Sequence, residues 1–321
     1  MKQVEFESHQ QRFWEEYSSK IDNVQSGKSS VIHDFPDDYR KVCQHLAIAK
    51  SRGYSLPLIK FLNGLVEQGY QLLYGNQVGK YSSLNSFLFG GFQEALRANK
   101  IFIWIAMALF VVPLLTAAIT SLINEEFVYS VMPVEQVRKF EQMYNPELRK
   151  FGRERESDTD LHMFGFYIKN NIGIAFTMFA TGIFFCIGAI FFLIYNGLYI
   201  GTAMGHISSV GYTDTFFPFV VGHGSFELTA LVFAGAAGLK IGHSLLMPGE
   251  YTRIKALQKA SIGAIKIMYG AGLMLLIAAF IEAFWSSSSS LSNEVKYATG
   301  AALWIFVFYY CFFLKGFKNA A

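Results

Sequence analysis

His223 and Glu227 are the residues whose types and spacing most directly point to chemistry. They lie four positions apart in the apolar, glycine-rich stretch VVGHGSFELTALVFAGAAGL, residues 220–239. On a helix this spacing places both side chains on one face. The pair is compatible with a metal site, a proton relay or a structural hydrogen bond. It is also compatible with a helix start, in which Ser225 is the N-cap and Glu227 lies in the first turn.

The composition of the chain identifies its environment. Of the 321 residues, 52% are hydrophobic and 16% are charged, whereas soluble domains carry about 25% charged residues. Runs such as 101–123 and 172–194 are free of charged residues over a length that crosses a bilayer. The net charge of +3 gives no indication of nucleic-acid binding. The sequence therefore predicts a polytopic membrane protein, with the lipid bilayer as its first partner.

Four regions follow one another along the chain. We expect residues 1–100 to form a small helical cytoplasmic domain and residues 101–123 to form the first transmembrane helix. Residues 124–171 are predicted to be an external mixed-charge segment with an amphipathic helix. Residues 172–321 are predicted to be a five-helix membrane core, with spans near 172–194, 196–211, 226–247, 262–285 and 295–314. The predicted fold class is all-α, with about six transmembrane helices.

The distribution of basic residues predicts the orientation. Lys and Arg occur in the 248–261 loop and near the C-terminus, whereas 208–225 and 286–293 contain neither. Because cytoplasmic loops are enriched in basic residues, we expect both termini to be cytoplasmic in a bacterial inner membrane. This orientation places Glu227 and Glu282 near the external ends of their spans, and we expect His223 and His206 at the same level. Ionisable groups inside a membrane bundle are functional candidates.

Small residues recur every four positions in two of the predicted spans. Such stripes let helices approach closely, and they predict helix contacts at Gly197, Gly201, Gly205, Ala230, Ala234, Gly238 and Gly242. The stripe that begins at Ala230 lies on the same side of its helix as Glu227, which indicates that this acid faces the bundle interior.

Three function classes remain open at this point. A metalloenzyme would need more ligands than His223 and Glu227; His206 and Glu282 are candidates to complete the set, but no spacing establishes it. The HExxH, GxSxG and serine–lysine patterns are absent from the sequence, and we expect no catalytic residue, metal or cofactor. A proton- or solute-coupled transporter would use His223, Glu227 and Glu282. A non-catalytic scaffold would dock a soluble partner, and we hypothesise that Phe13, Trp14 and Tyr17 form that docking face.

A family resemblance appears in two consecutive stretches. NNIGIAFTMFATGIFFCIGAIFFLIYNGLYIGTAMGHISSVG, residues 170–211, and HGSFELTALVFAGAAGLKIG, residues 223–242, resemble the stage II sporulation protein M family. The matching positions include Asn170, Asn171, Asn196, Gly197, Gly201, His223, Gly224, Glu227, Leu228 and Ala230. The resemblance makes Asn171 and Asn196 further candidate residues. FPDDYRKVCQHLAIAKSRGYS, residues 35–55, is similar to the cytoplasmic region of the broader, non-sporulating branch.

The resemblance implies a role in a membrane assembly. The sporulation member is a scaffold that helps recruit a peptidoglycan-degrading pair, and members of the broader branch tend to be encoded beside MoxR-type ATPases, von Willebrand A-type proteins and RDD-type membrane proteins. The soluble N-terminal region and the long 124–170 segment favour the broader branch. The resemblance therefore implies an envelope-related scaffold or anchor with partners of these types, and it is compatible with a homo-oligomer.

Overall fold

The computed structural model describes residues 3–25, 34–75, 84–148, 157–288 and 290–314. Within these ranges every regular element is helical and no strand occurs. The predicted all-α fold class is therefore confirmed. The chain divides into two compact units, residues 1–87 and 88–321. The boundary lies before residue 100 because the ring of Phe92 packs on Phe233 and Gly270 of the second unit.

The first unit is a small helical module with its own core. It consists of α1 (Gln3–Gln25), α2 (Phe35–Ser51) and α3 (Leu56–Tyr70), followed by a π-helical turn (Gln71–Gly75). Proline at the start of α2 and of α3 fits the first helical turn, where the amide hydrogen has no intrahelical acceptor. The core is formed by Phe6, Trp14, Tyr17, Ile21, Phe35, Val42, Leu46, Ala49, Leu58, Leu62, Leu65 and Leu72.

The second unit contains the membrane helices. After the short α4 (Phe92–Ala98) come α5 (Lys100–Ile123), α6 (Val134–Tyr144), α7 (Ser157–Thr181), α8 (Ile187–Ser209), α9 (Thr213–Leu246), α10 (Arg253–Phe280) and α11 (Asn293–Phe308). π-Helical turns extend α10 over Ile281–Ser286 and α11 over Tyr309–Phe313. Among the described residues, five helices are long and apolar enough to cross a membrane: α5, α8, α9, and α10 and α11 with their extensions. The chain is a multi-pass membrane protein.

The boundary between α7 and α8 differs from the prediction. We expected one span over 172–194 and another over 196–211, but the chain turns at residues 182–186 and α8 continues through Asn196. Phe185 and Cys186 adopt left-handed backbone angles in this turn, with φ values of 52° and 70°. Hydropathy does not change across the turn, so apolarity alone could not locate it. Gly182 makes the turn possible because a Cβ at this position would collide with the backbone of Gly238.

The two ends of the membrane unit carry different side chains, and we name each end after one of its residues, Lys240 or Tyr144. At the Lys240 end, the Lys240 ammonium donates to Asn99 at the start of α5, and both lie beside Gly263. At the Tyr144 end, Tyr144 of α6 packs with Ile207, Phe216 and Phe219 of α8 and α9. The helix α7 reaches both ends: Phe164 contacts Phe280 and Phe284, while Gly182 beyond its last turn contacts Gly238.

Candidate functional site

His223 and Glu227 lie inside a continuous helix. The helix α9 runs from Thr213 to Leu246, so the alternative in which Ser225 caps a helix start is wrong. The Ser225 hydroxyl instead donates to the carbonyl oxygen of Gly222 within the helix, at 2.7 Å. His223 is 5% exposed, and the one-turn spacing places it above Glu227 on a single face.

Glu282 joins this pair from the neighbouring helix. One ring nitrogen of His223 and one carboxylate oxygen each of Glu227 and Glu282 all lie within 4.8 Å of one another. Glu282 belongs to the π-helical turn after α10, and this turn approaches α9 closely at Gly222. A Cβ at Gly222 would lie 2.7 Å from the Trp285 ring, so the absence of a side chain there lets the two elements meet. We call these three residues the His–Glu–Glu cluster.

Ser286 supports the cluster from the same π-helical turn. Its hydroxyl lies 3.1 Å from Nδ1 of His223, and it is buried, at 1% exposure. Lys296 of α11 donates to the carbonyl oxygen of Ser286 at 2.9 Å. The Ser286 hydroxyl thus helps to hold the imidazole ring in place through Nδ1.

An aromatic layer separates the cluster from the Tyr144 end. The Phe219 ring stacks edge-on against His223, with ring centroids 5.3 Å apart, and the Tyr144 ring contacts Phe219 in turn. Burial raises the pKa of Tyr144, and the charges of Glu282, Tyr167 and Glu227 raise it further. Tyr144 therefore stays protonated, and its phenol lies within the electrostatic field of both acids.

Among the described residues, the two carboxylates have no basic counter-ion. In the part of the chain that the structure describes, no Lys or Arg side chain forms an ion pair with Glu227 or Glu282. Both side chains are half-buried. Two negative charges this close inside a membrane bundle are strongly unfavourable unless protons or a bound cation neutralise them. The cluster can therefore hold protons or a positively charged ion.

His206 does not belong to the cluster. We expected it at the level of Glu227, but its Nε2 lies 2.8 Å from the carboxylate of Glu141 in α6. The ring is 4% exposed. The sequence missed this pairing because Glu141 lies in the mixed-charge segment, far from His206 along the chain. The His206–Glu141 pair ties α6 to α8, together with a hydrogen bond between Gln136 and Tyr199.

The two candidate asparagines have separate positions. Asn196 lies within α8 and donates to the carbonyl oxygen of Phe192 one turn earlier, at 2.7 Å. Asn171 lies in α7 at 5% exposure and accepts a hydrogen bond from Asn170. Among the described residues, Nδ2 of Asn171 has no hydrogen-bond partner. No hydrogen bond between either asparagine and the His–Glu–Glu cluster is found among the described residues.

The glycines of α8 lie against the backbone of α5. A Cβ at Gly197, Gly201 or Gly205 would collide with the carbonyl oxygen of Phe110, Leu114 or Ala118, respectively. These three acceptors follow one another along α5 at the same four-residue spacing. The interface is therefore a close contact between two helix backbones.

The corresponding stripe of α9 is buried against α7 and the turn that follows it. Ala230 and Ala234 have no exposed surface. A Cβ at Gly238 would lie 2.8 Å from the Met178 carbonyl oxygen, and one at Gly242 would collide with the backbone of Cys186. The stripe thus fixes α9, which carries His223 and Glu227, against the rest of the unit.

The aromatic face of α1 is not a docking surface. Trp14 and Tyr17 are 3% and 1% exposed, and the Trp14 indole donates to Nδ1 of His45 at 3.1 Å. The hypothesis that these residues bind a partner is wrong, because α2 and α3 already cover them. The buried side chains of α1 pack with those of α2 and α3 to form the core of the first unit.

Ser286, Lys296 and Tyr144 are site residues that sequence reasoning missed. Ser286 begins a serine run that gives no indication of a specific partner. Lys296 could have been identified from the sequence, because it is a basic residue inside the predicted span 295–314 and such residues are functional candidates. Tyr144 ends the amphipathic helix, and its link to the cluster depends on how α6 packs.

The fold and the cluster together define a class: multi-pass helical membrane proteins with an appended helical module. The chain belongs to the Stage II sporulation protein M family, whose profile matches residues 98–287. This match includes all three residues of the cluster and ends just after Ser286. Residues 4–75 match a second profile, a domain of unknown function (DUF8413), and this range lies within the first unit.

One similar protein comes from an archaeon. An uncharacterized protein of Methanocaldococcus jannaschii is 29% identical over 119 residues, which cover 36% of this chain and 67% of that protein. No solved structure matches the chain.

Proposed function

We propose that this protein is a membrane anchor that holds a soluble partner at the membrane surface through its first unit. The observation that carries this proposal is that residues 1–87 form a compact unit separate from the membrane helices, with an aromatic core of their own. A membrane protein that needed only a bilayer-embedded site would not require such a module. The partners that the family resemblance implies are a MoxR-type ATPase, von Willebrand A-type proteins and RDD-type membrane proteins, in an envelope-related complex.

The proposed location is a bacterial cytoplasmic membrane with both termini in the cytoplasm. Arg97, Lys100 and Lys240 lie at or near the Lys240 end of the membrane unit, and the α9–α10 connection is followed by Arg253 and Lys255. At the Tyr144 end, the connections between α8 and α9 and between α10 and α11 contain no Lys or Arg. This charge distribution supports a cytoplasmic Lys240 end.

The docking surface that we propose lies where α1 and α3 begin. The Gln3 side chain donates to the Ser55 hydroxyl at 2.7 Å and accepts from the Ser55 amide at 2.9 Å. The next residues, Val4 and Leu56, are 78% and 67% exposed. We propose that these two exposed aliphatic side chains, which follow the fixed Gln3–Ser55 contact, are contact points for the partner.

The anchor proposal is tested by direct binding. The full chain, reconstituted in lipid nanodiscs, is titrated with the MoxR-type ATPase of the source organism. We expect the double substitution Val4→Asp and Leu56→Asp to weaken binding at least about tenfold, which corresponds to roughly 1.4 kcal/mol. Tyr70→Asp is the matched control, because Tyr70 is 56% exposed at the other end of α3. Equal affinity of the double variant and the wild type would place the docking surface elsewhere, and no binding by the wild type would reject this partner.

A second candidate function rests on the His–Glu–Glu cluster. Two half-buried acids beside a buried histidine support a proton- or solute-coupled transporter that uses Glu227, Glu282 and His223. Glu227→Gln should then abolish proton flux in proteoliposomes while protein abundance stays unchanged. Reduced abundance of the variant would indicate a structural role instead. An intramembrane metalloenzyme would require the same three residues, but we propose no reaction for them.

A further inference from the structure

The geometry of the His–Glu–Glu cluster points to a binding site for one divalent transition-metal ion inside the membrane unit, and we propose that His223, Glu227 and Glu282 are its ligands. This inference goes beyond the anchoring role and does not depend on it. It replaces the expectation, drawn from the sequence, that the protein binds no metal. From the sequence, His206 and Glu282 were candidates to complete a ligand set with His223 and Glu227, but the spacing did not establish one; the structure brings Glu282, and not His206, to the pair.

The donor atoms have the right types for such an ion. Imidazole nitrogen and carboxylate oxygen are ligands of Zn²⁺, Mn²⁺ and Fe²⁺. With bonds of about 2.1 Å, ligand atoms in a tetrahedral zinc site are about 3.4 Å apart. In the cluster they lie within 4.8 Å of one another. The proposal requires the two glutamate side chains to move closer on binding the ion, and no ion pair with the described residues holds either carboxylate in place.

The charge of the site favours a divalent ion. Two ionised carboxylates and a neutral imidazole carry a charge of −2, which one divalent cation neutralises completely. Neutrality matters here because an uncompensated charge inside a membrane bundle is costly. The buried Lys296 forms no ion pair with either acid; its ammonium donates to the carbonyl oxygen of Ser286.

The surroundings of His223 resemble the support that metal-binding histidines receive. Such histidines are usually held through the ring nitrogen that does not bind the metal, and loss of this support weakens metal binding about 10- to 100-fold. Here the Ser286 hydroxyl lies 3.1 Å from Nδ1, which leaves Nε2 for the ion. The ring is also fixed by its contact with Phe219.

The number of protein ligands leaves room for another group. Three side chains fill three positions of a tetrahedral ion, and a water molecule or a partner's side chain would complete it. The site would therefore be open on one side. It also joins α9 to the end of α10, so ion binding would stabilise this helix pair.

Metal content and metal titration test the proposal. The full chain is purified in detergent, stripped with a chelator and titrated with Zn²⁺, and separately with Co²⁺, whose visible absorption reports on its ligands. We expect about one ion per chain, and at least a tenfold loss of affinity in Glu227→Gln, Glu282→Gln and His223→Ala. The matched control is His206→Ala, which removes a histidine from another buried histidine–glutamate pair and should bind like the wild type.

Folding defects are separated from ligand loss by two further measurements. Ser286→Ala removes no ligand, and we expect it to weaken Zn²⁺ binding about 10- to 100-fold. Zn²⁺ should raise the thermal midpoint of the wild-type chain and of His206→Ala but not that of the glutamine variants. Less than about 0.1 ion per wild-type chain, or wild-type affinity in all three ligand variants, would overturn the proposal and leave protons as the neutralising charge.

Discussion

Glu227 of α9 and Glu282 of the π-helical turn after α10 each place a carboxylate oxygen within 4.8 Å of the other and of a His223 ring nitrogen. The contact joins two membrane helices through groups that a bilayer disfavours. It is maintained by close packing, because Gly222 lets the turn with Trp285 approach α9. The segment that matches the family thus contains two acids whose negative charge must be neutralised by protons or a cation. The first unit lies outside that match and carries the proposed docking surface.

The first prediction concerns the contact between α5 and α8. Gly201→Ala should destabilise the membrane unit by about 1–3 kcal/mol, because the added Cβ would lie 2.8 Å from the backbone carbon of Leu114. Thermal unfolding in detergent measures the change. Gly272→Ala is the control, since a Cβ there meets no atom within 4 Å. Equal midpoints for Gly201→Ala and the wild type would contradict close backbone packing.

The second prediction concerns the His206–Glu141 pair. His206→Ala should free α6 from α8, because it removes the 2.8 Å contact with Glu141. If the local free energy of opening of this helix falls by about 1–3 kcal/mol, amide hydrogen exchange in Val134–Tyr144 should become roughly 5- to 150-fold faster. His162→Ala, at an exposed position of α7, should leave exchange in this helix unchanged. Unaltered protection in His206→Ala would show that other contacts hold α6.

The third prediction concerns the stability of the first unit at acidic pH. Burial lowers the pKa of His45 below its ordinary value of 6.5, and Lys41 lowers it further. The unfolded state therefore binds a proton more readily at His45 than the folded state does. The contribution of His45 to the free energy of unfolding is complete above about pH 6.5, and it is lost as the pH falls toward the pKa of the folded state. Protonation also removes the acceptor for the Trp14 indole.

Trp14 fluorescence measures this effect in the full chain, with Trp104, Trp285 and Trp304 replaced by phenylalanine. The thermal midpoint of the first unit should fall between about pH 7 and pH 5, and His45→Gln should reduce that slope. His9→Gln, at an exposed position of α1, should retain it. A midpoint independent of pH in the chain with His45 intact would contradict the role of this residue.

The fourth prediction concerns orientation. Cysteine is introduced at Glu250, between α9 and α10, or at Ser290, before α11, in a chain whose native cysteines are replaced by serine. Both positions are exposed. A membrane-impermeant maleimide should label Ser290→Cys in intact cells, and Glu250→Cys only after the membrane is opened. The reverse labelling pattern would place the termini outside the cytoplasm.

The helical class of the protein follows from the sequence because membrane spans leave a strong signal. Uncharged runs of more than about 18 residues are typical of transmembrane helices and rare in soluble domains. The stripes at Gly201 and Gly238 were also visible, since a four-residue period maps directly onto one helix face. What could not be seen was the turn at residues 182–186, because a turn made of apolar residues has the same hydropathy as the helices beside it.

The site was predicted only in part, because its members come from different elements. His223 and Glu227 are neighbours on one helix, and spacing alone pairs them. The charge-based orientation also placed Glu282 at the level of Glu227. Ser286 and Tyr144 reach the cluster through packing between helices, which a single sequence does not encode in any local pattern. The same limit explains the buried Trp14: an amphipathic helix shows that one face is covered but does not show by what.

Recruitment of the partner to the membrane tests the anchor proposal most directly. The MoxR-type ATPase is quantified in the membrane fraction of cells that express either the full chain or residues 88–321 alone, with membrane levels of both chains matched. We predict that the ATPase is found with membranes only when the first unit is present, and that it becomes soluble when residues 1–87 are removed. An ATPase that stays at the membrane with residues 88–321 alone would contradict the proposal that the first unit is the anchor's docking module.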